Sequence, residues 1–442
     1  MQNLAEIKLW GKLVGALAYD PVSQISTFEY SPERIQRGVE IAPLRMPLSP
    51  RKYQFPNLNP DTYHGLPALF SDTLPDDFGN AVINAWLAKN GRDSHSFTAL
   101  ERLLYIANRG MGALEFEPAI SRKTTANQQL ELDSLIQMAQ TILDQRSNLA
   151  KSVKSINNEA NDDAMSALFQ VGTSAGGARA KALVAINKDR TELRSGQVDA
   201  PEGFEQYLLK FDGVEEHKTD SEVFGDPQGY GRMEYAYYLM AKDAGINISH
   251  SELLIDGNRA HFITQRFDRG RGTDHNRKKH TISLCALDHA DYKKPGTYSY
   301  EQLLSVARQL RLPRKDAIEI YRRMVFNVIA RNHDEHTKNT GFILDSPKAA
   351  WRLSPAFDLA YSYKKDSPWV NSHQMSLNGK RDGFERADLF AVASLIGNFK
   401  KESRQIYDEV VEVVRNWREY AERAGVFEHL SIEIEKNLRL EL

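Results

Sequence analysis

The chain has 442 residues, of which 41% are hydrophobic and 26% charged, so it is long enough for two or three soluble globular domains. A formal net charge of −2 excludes a protein-wide basic field for binding nucleic acid, but it leaves DNA contact through a partner open. Cys285 is the only cysteine, which excludes an intrachain disulfide and a cysteine-based zinc cluster.

The first third of the chain reads as strands followed by helices. Its predicted elements are strands at 7–10, 13–17 and 25–30, an irregular proline-rich stretch at 44–62, a helix from Gly79 and a helix at 130–145. No signal-peptide core is present and no run approaches about 20 apolar residues, so we expect a cytoplasmic protein without a membrane segment. The polar stretch 147–163 predicts a linker or flexible loop after an N-terminal subdomain at 1–146.

The rest of the chain, 164–442, changes from strands to helices. The predicted elements are strands at 182–186, 207–211 and 259–264, a helix at 232–244 that stops at Gly245, and mostly helix from about 300 onward. One late helix is expected to carry Ile406, Val410, Val413 and Trp417 on one face. A small sheet followed by a helical lobe predicts an α+β, bilobal architecture with a cleft.

The most informative motif begins after a strongly periodic helix, with Asp334, an amide five residues later at Asn339, and a second aspartate at Asp358. Runs at 342–344 and 351–353 predict a hairpin that carries Asp358 back beside Asn339. Magnesium-assisted phosphoryl transfer needs a carboxylate to orient the attacking hydroxyl and oxygen ligands to hold the metal. The set therefore indicates a kinase with Asp334 as base and Asn339 and Asp358 as Mg²⁺ ligands; a solvated polar loop is the alternative.

Two further sets fit a nucleotide site. Lys210 lies near the end of an apolar strand, where a kinase lysine reaches the ATP phosphates, and Glu234 on the next helix is the candidate carboxylate that holds it. Gln265 to Asp268 follow the third strand as a hinge, with backbone groups for adenine and Asp268 for ribose. A surface lysine, a surface glutamate and an ordinary strand-to-loop transition are the alternatives.

A glycine-rich stretch at 171–181 has two functional interpretations. Gly172, Gly176 and Gly177 allow backbone amides to approach phosphate oxygens. The stretch also satisfies Gly-x-Ser-x-Gly, the nucleophile elbow of serine hydrolases, with Ser174 as nucleophile and Asp358 and His373 as triad partners. An elbow leads into a helix, whereas 182–186 is predicted to be a strand, which favours the phosphate-binding interpretation. A glycine turn without a function is the third interpretation.

Taken together, the motifs resemble the HipA-type serine/threonine kinases, the toxins of bacterial toxin–antitoxin pairs. The resemblance covers nearly the whole chain. It is carried, in the family's order, by LPALFSDTLPD at 66–76, RGMGA at 109–113, GTSAGGARAKA at 172–182, LLKF at 208–211, QRFDR at 265–269, NHDEHTKN at 332–339 and SPAFDLAYSY at 354–363.

The resemblance implies a protein-kinase-like fold, ATP and Mg²⁺ as cofactors, and the roles given above for Asp334, Asn339, Asp358 and Lys210. It also implies that Gln265, Phe267 and Asp268 lie at the hinge and ribose positions, that His336 lies near the phosphates, and that autophosphorylation of Ser174 switches the kinase off. It further implies a protein substrate such as an aminoacyl-tRNA synthetase, and a helix-turn-helix antitoxin that mediates contact with DNA.

This chain departs from the family pattern at Gln265, where glutamate is frequent, and from ordinary protein kinases at Leu359-Ala360, where they have Phe-Gly. Three alternatives stay open. The serine hydrolase is one, and a co-repressor subunit that acts only by binding an antitoxin and its DNA is another. A zinc site at His333 and His336 is the third, and it lacks a clear third ligand.

Overall fold

The computed structural model describes residues 2–75, 77–89, 91–93, 96–120, 129–145, 179–215, 225–226 and 228–442. It divides the chain into two compact units. The first unit comprises Met1–Val39, Leu48–Gly231 and Ser251–His280, and the second Glu40–Pro47, Arg232–His250 and Thr281–Leu442. The predicted linker 147–163 and both predicted domain boundaries beside it lie outside the described residues.

The first unit begins with an antiparallel four-stranded sheet in the order β3-β2-β1-β4. Its strands are β1 (Leu4–Leu9), β2 (Lys12–Asp20), β3 (Ile25–Tyr30) and β4 (Leu114–Glu117). Alternate residues of β1, namely Ala5, Ile7 and Leu9, are fully buried, which is the period of a strand with one covered face. The three strands predicted here are confirmed, while β4 was not predicted.

The described residues between β3 and β4 form five helices. They are α1 (Pro32–Arg37), α2 (Pro60–Tyr63), α3 (Ala68–Ser71), α4 (Asp77–Lys89) and α5 (Ala99–Ile106). Thr98 and Glu101 form a reciprocal capping box at the start of α5, which satisfies backbone amides that have no partner within the helix.

A second sheet of the first unit has six antiparallel strands in the order β11-β12-β8-β6-β7-β5. They are β5 (Gln129–Leu130), β6 (Lys181–Asn187), β7 (Leu193–Ser195), β8 (Phe204–Lys210), β11 (Ser251–Asp256) and β12 (Arg259–Gln265), with a separate pair β9 (Val214–Glu215) and β10 (Gly225–Asp226). Residues of α4 and of α6 (Leu132–Gln145) share one apolar core with β6 and β8. This packing covers Ala182, Val184 and Ile186 on one face of β6, and Leu183 and Ala185 on the other face are buried as well, so the strand is an unbroken buried run.

The second unit is mostly helical. Its helices are α7 (Tyr230–Asp243), α8 (Leu284–Asp288), α9 (Tyr300–Gln309), α10 (Arg314–Ile329), α11 (Arg386–Ala393), α12 (Lys400–Arg415), α13 (Trp417–Ala424) and α14 (Glu428–Asn437). A small sheet in the order β13-β14-β15 is formed by β13 (His280–Ser283), β14 (Gly341–Leu344) and β15 (Arg352–Leu353). The predicted hairpin is confirmed, because Phe342 pairs with Leu353 and Ile343 with Arg352.

One predicted helix is wrong in its extent. The face expected to run through Ile406, Val410, Val413 and Trp417 is broken at Asn416, whose side chain donates to the Glu412 carbonyl at 3.0 Å. Trp417 opens the next helix, where it is buried and donates to the Ser431 carbonyl at 3.0 Å. Among the described residues, no helix is long and apolar enough to cross a membrane.

Candidate active site

The loop that carries Asp334 begins where α10 ends. The apolar face of α10 is buried through Ile329, and Arg331 then adopts a left-handed backbone with φ of 56° that turns the chain away from the helix. The Asn332 amide still bonds the Asn327 carbonyl at 3.0 Å, and a 3-10 turn at Thr337–Asn339 closes the loop before β14. The sequence placed these residues on a loop after a helix, and this is confirmed.

Asp334 lies on this loop with its side chain 33% exposed. Its carbonyl accepts hydrogen bonds from the His336 amide and from Asn339 Nδ2, both at 2.8 Å. Its carboxylate Oδ1 accepts from Trp369 Nε1 at 2.8 Å. The carboxylate is therefore fixed on one side and open to solvent, which is a geometry that suits a base acting on a substrate hydroxyl.

Asn339 and Asp358 line one small cavity of the second unit, with about 30 Å³ of room for water-sized molecules. Because Asn339 Nδ2 donates to the Asp334 carbonyl, Oδ1 is the amide atom left to bind a cation. Asp358 has φ of 58°, and left-handed backbone of this kind in a residue other than glycine clusters at functional sites.

The donor set fits Mg²⁺. A carboxylate and an amide oxygen are hard ligands, and Mg²⁺ in nucleotide sites takes only one or two protein ligands besides phosphates and water. Two buried oxygens without a hydrogen-bond partner among the described residues, Asn332 Oδ1 and Glu335 Oε2, belong to residues lining the same cavity. No group of three or more His, Cys, Asp or Glu side chains that could hold a metal occurs in the described ranges, so nothing supports a zinc site at His333 and His336.

A buried acid–imidazole pair lies directly beside Asp334, and sequence reasoning missed it. Glu335 Oε1 and His373 Nδ1 are 2.7 Å apart, and the His333 ring packs against the His373 ring at a tilt of 37°, with centroids 4.0 Å apart. Burial raises the pKa of Glu335 well above its usual value, lowers the pKa of His373 well below its usual value, and lowers that of His333 to about 2. Both imidazoles are therefore uncharged at neutral pH, and the protonated form of Glu335 is favoured relative to an exposed glutamate. No spacing rule signals this pair, because its partners are 38 residues apart.

His373 is only 1% exposed and is held by Glu335. A general base must reach a nucleophile that meets substrate, so this burial argues against His373 in a serine-hydrolase triad. Ser174, Gly172, Gly176 and Gly177 lie outside the described residues, and the predictions made for them stay predictions.

His336 lies at the edge of the loop, with Nε2 3.9 Å from Asp334 Oδ1. Its ring centroid is 5.2 Å from that of Tyr292, whose face also carries Lys338 Nζ at 5.1 Å from the centroid. A lysine and a histidine, both potential phosphate donors, thus pack on one aromatic side chain, and the histidine lies near Asp334. The predicted role of His336 near phosphates stays a prediction.

Lys210 and Glu234 belong to different units. Lys210 is the last residue of β8 and is 5% exposed, with Nζ 5.8 Å from the Phe262 ring centroid. Glu234 lies on α7 and is 3% exposed. Both are buried charged groups rather than the surface residues of the alternative interpretation, and their predicted pairing stays a prediction.

Gln265 ends β12, Phe267 is half-buried, and Asp268 is fully buried in the first unit. Asp268 accepts from Arg266 Nε at 2.9 Å, Arg266 Nη2 at 2.8 Å, Arg269 Nη1 at 2.6 Å and the Gly112 amide at 2.7 Å. Burial alone would raise the pKa of Asp268, but the two guanidinium groups and these bonds outweigh it and hold the pKa well below its usual range. Ribose binding by Asp268 stays a prediction, and it would require these bonds to rearrange.

Comparison with known proteins gives two family matches. The model described as HipA-like C-terminal domain matches residues 173–417, and the one described as HipA N-terminal domain matches residues 5–117. No curated protein matches the chain by sequence.

Two solved structures are similar. The HipA of Shewanella oneidensis, solved as a toxin–antitoxin complex with HipB and operator DNA, matches with a TM-score of 0.68 at 15% identity, over 99% of this chain and 97% of that one. The proinflammatory kinase CtkA of Helicobacter pylori covers 59% of this chain and 93% of its own at 12% identity, with a TM-score of 0.33 that is too low to support a conclusion. The first match shows a shared fold and confirms the predicted α+β class.

Proposed function

Because the chain belongs to the HipA family, which its matches to both the N-terminal and the C-terminal domain establish, we propose that it is an ATP- and Mg²⁺-dependent serine/threonine protein kinase acting as the toxin of a toxin–antitoxin pair. The observation that carries the proposal is the grouping in the second unit. Asn339 bonds the backbone of Asp334, and it lines one cavity with Asp358.

In this proposal each residue has one task. Asp334 accepts the proton of a serine or threonine hydroxyl and orients it towards the γ-phosphate of ATP. Asn339 Oδ1 and Asp358 would hold Mg²⁺, which when bound neutralises charge on the phosphates. Lys210, His336 and the glycine-rich loop at 172–177 would meet the phosphates. Positioning and electrostatic stabilisation then supply most of the acceleration.

The partner and regulation are also proposed. The Shewanella protein was solved with HipB and operator DNA. We extend this to a helix-turn-helix antitoxin for the present chain, with DNA contact mainly through that complex. The protein substrate is proposed to be a translation factor such as an aminoacyl-tRNA synthetase. Phosphorylation of Ser174 would add roughly −1.5 to −2 charges inside a loop that approaches ATP, and would switch the kinase off.

Asp334→Asn is the direct test. The amide keeps an oxygen for Trp369 Nε1 but cannot take a proton, so ATP binding should persist while phosphate transfer falls by roughly 10²- to 10⁴-fold. Transfer of radiolabelled phosphate and ATP titration by calorimetry measure the two effects. Asp408→Asn, the same change on an exposed face of α12, is the matched control. Full transfer by Asp334→Asn would falsify the assignment, and toxicity that survives in cells would favour a co-repressor acting by binding alone.

A further inference from the structure

Four hydrogen bonds join the loop at Asp334 to one later segment of the same unit, 367–374, which we call the clamp segment. Its Val370 carbonyl accepts from His333 Nδ1 at 3.0 Å, and its Gln374 amide donates to the His333 carbonyl at 3.2 Å. The other two bonds are those of Trp369 with Asp334 and of His373 with Glu335, at 2.8 and 2.7 Å. Three consecutive loop residues, 333 to 335, are thus each held by this segment.

The clamp segment is ordered by its own bonds. Ser367 Oγ accepts from the amides of Trp369 at 3.2 Å and of Val370 at 3.3 Å. Gln374 Nε2 donates to the Trp369 carbonyl. The backbone of Trp369 is therefore fixed on both sides, and its half-buried ring is directed at the carboxylate of Asp334 by structure that does not depend on that contact.

We propose that Trp369 is a positioning residue for the catalytic base Asp334. This inference rests on the proposed kinase function and deepens it. An indole N–H only donates, so it cannot take the proton of a substrate hydroxyl. Its bond to Oδ1 stops rotation of the carboxylate and leaves Oδ2 as the oxygen that meets the hydroxyl.

The chemistry of the contact suits this task. A hydrogen bond from a neutral donor to a carboxylate is short and about twice as strong as a neutral one. Asp334 is partly exposed on a loop after a helix end, so without such a bond water would compete for both oxygens. The reaction rate depends strongly on the position and orientation of a reacting group, since a misplacement of about 1 Å costs roughly 10²-fold in rate.

Trp369→Phe and Trp369→His test the proposal in the full-length chain. Phenylalanine keeps a ring but removes the donor, so the kcat for phosphate transfer to the chain itself and to casein should fall roughly 10- to 100-fold, with the KM for ATP changed by less than about twofold. Histidine carries Nε2 at the same ring position as indole Nε1, so it should restore most of the lost kcat. Trp351→Phe, on the hairpin before β15, is the matched control and should leave kcat unchanged.

Each result has a definite meaning. A kcat unchanged in Trp369→Phe overturns the inference, and a raised kcat overturns it by showing that the indole blocks the base. An equal loss in the Phe and His variants, accompanied by a lower unfolding temperature, also overturns it in favour of a merely structural role. If the wild-type chain transfers no phosphate, the kinase proposal is wrong, and this inference is wrong with it. Wild-type transfer with selective loss in Trp369→Phe supports both.

Discussion

His333 is a buried imidazole whose protonation opposes folding. Its Nδ1 donates to the Val370 carbonyl at 3.0 Å, and Arg331 lies near its other nitrogen at 3.4 Å. Burial first, and then His373, Arg331 and Arg439, lower its pKa to about 2. The unfolded chain binds a proton at this residue near pH 6.5, whereas the folded chain does not. Stability from His333 is therefore complete above about pH 6.5 and is lost as the pH falls towards 2.

His333→Asn should weaken this pH dependence. Asparagine can still donate to the Val370 carbonyl but does not titrate. From pH 7.5 to 5.0 the wild type should lose about 2 kcal/mol of unfolding free energy through this residue, and the variant should not. Urea unfolding of both proteins at the two pH values measures the difference between their unfolding free energies. The advantage of the wild type over the variant should be smaller at pH 5.0 by that amount. Glu335 contributes to the pH dependence in the opposite sense. It is present in both proteins, so its contribution cancels in the difference between them. Parallel stability curves would show that the pKa of His333 is the same in the folded and the unfolded chain.

At the scale of elements, the two motifs RGMGA and QRFDR form one buried network of hydrogen bonds around Asp268 in the first unit, which we call the lock. Arg266 and Arg269 both bind Asp268 and also donate to the Gly110 carbonyl, at 3.4 and 3.2 Å. The Gly112 amide donates to Asp268, and Gly112 has φ of 76°, a backbone that favours glycine. The loop between α5 and β4 is thus tied to the segment after β12 by buried, charge-assisted bonds.

Asp268→Asn should therefore destabilise the first unit. It leaves two almost fully buried guanidinium groups without their counter-charge, and loss of one partner from a buried ion pair costs about 3–5 kcal/mol. Chemical unfolding followed by circular dichroism measures the loss. Asp189→Asn, the same change at an exposed turn of this unit, should cost less than about 0.5 kcal/mol. A cost for Asp268→Asn as small as that of its control would mean that the lock contributes little.

The sequence predicted the elements whose patterns are long and regular. β6, α10 and the β14–β15 hairpin all match, because apolar period and length determine them locally. The short strands β5 and β7 were missed, since two or three residues carry no period. The lock at Asp268 and the clamp at Trp369 were also missed, because their bonds join residues 156 and 35 positions apart. Motif spacing predicted that Asp358 returns beside Asn339, which lines one cavity with it, but spacing did not predict the side chains that hold Asp334.

At the scale of the whole molecule, the residues proposed to meet Mg-ATP come from both compact units. Lys210 belongs to the first, and Asp334, Asn339 and Asp358 belong to the second. The family matches likewise cover both the N-terminal and the C-terminal parts of the chain. Substitutions at Lys210 and at Asp358 therefore test the proposed nucleotide contacts of each unit by itself.

Mg-ATP should therefore raise the unfolding temperature of the full chain, since a ligand that binds only the folded state at about 100 times its Kd adds about 2.7 kcal/mol. Thermal unfolding with Mg-ATP, with and without EDTA, measures this rise in unfolding temperature. Chelation of Mg²⁺ should remove most of the rise, because Asp358 would then face the phosphates without a cation between them. Lys210→Met and Asp358→Asn should each reduce the shift, whereas Lys188→Met at an exposed turn should not. A shift that persists in both site variants would place ATP elsewhere, and loss in only one of them would mean that the other residue does not meet the nucleotide.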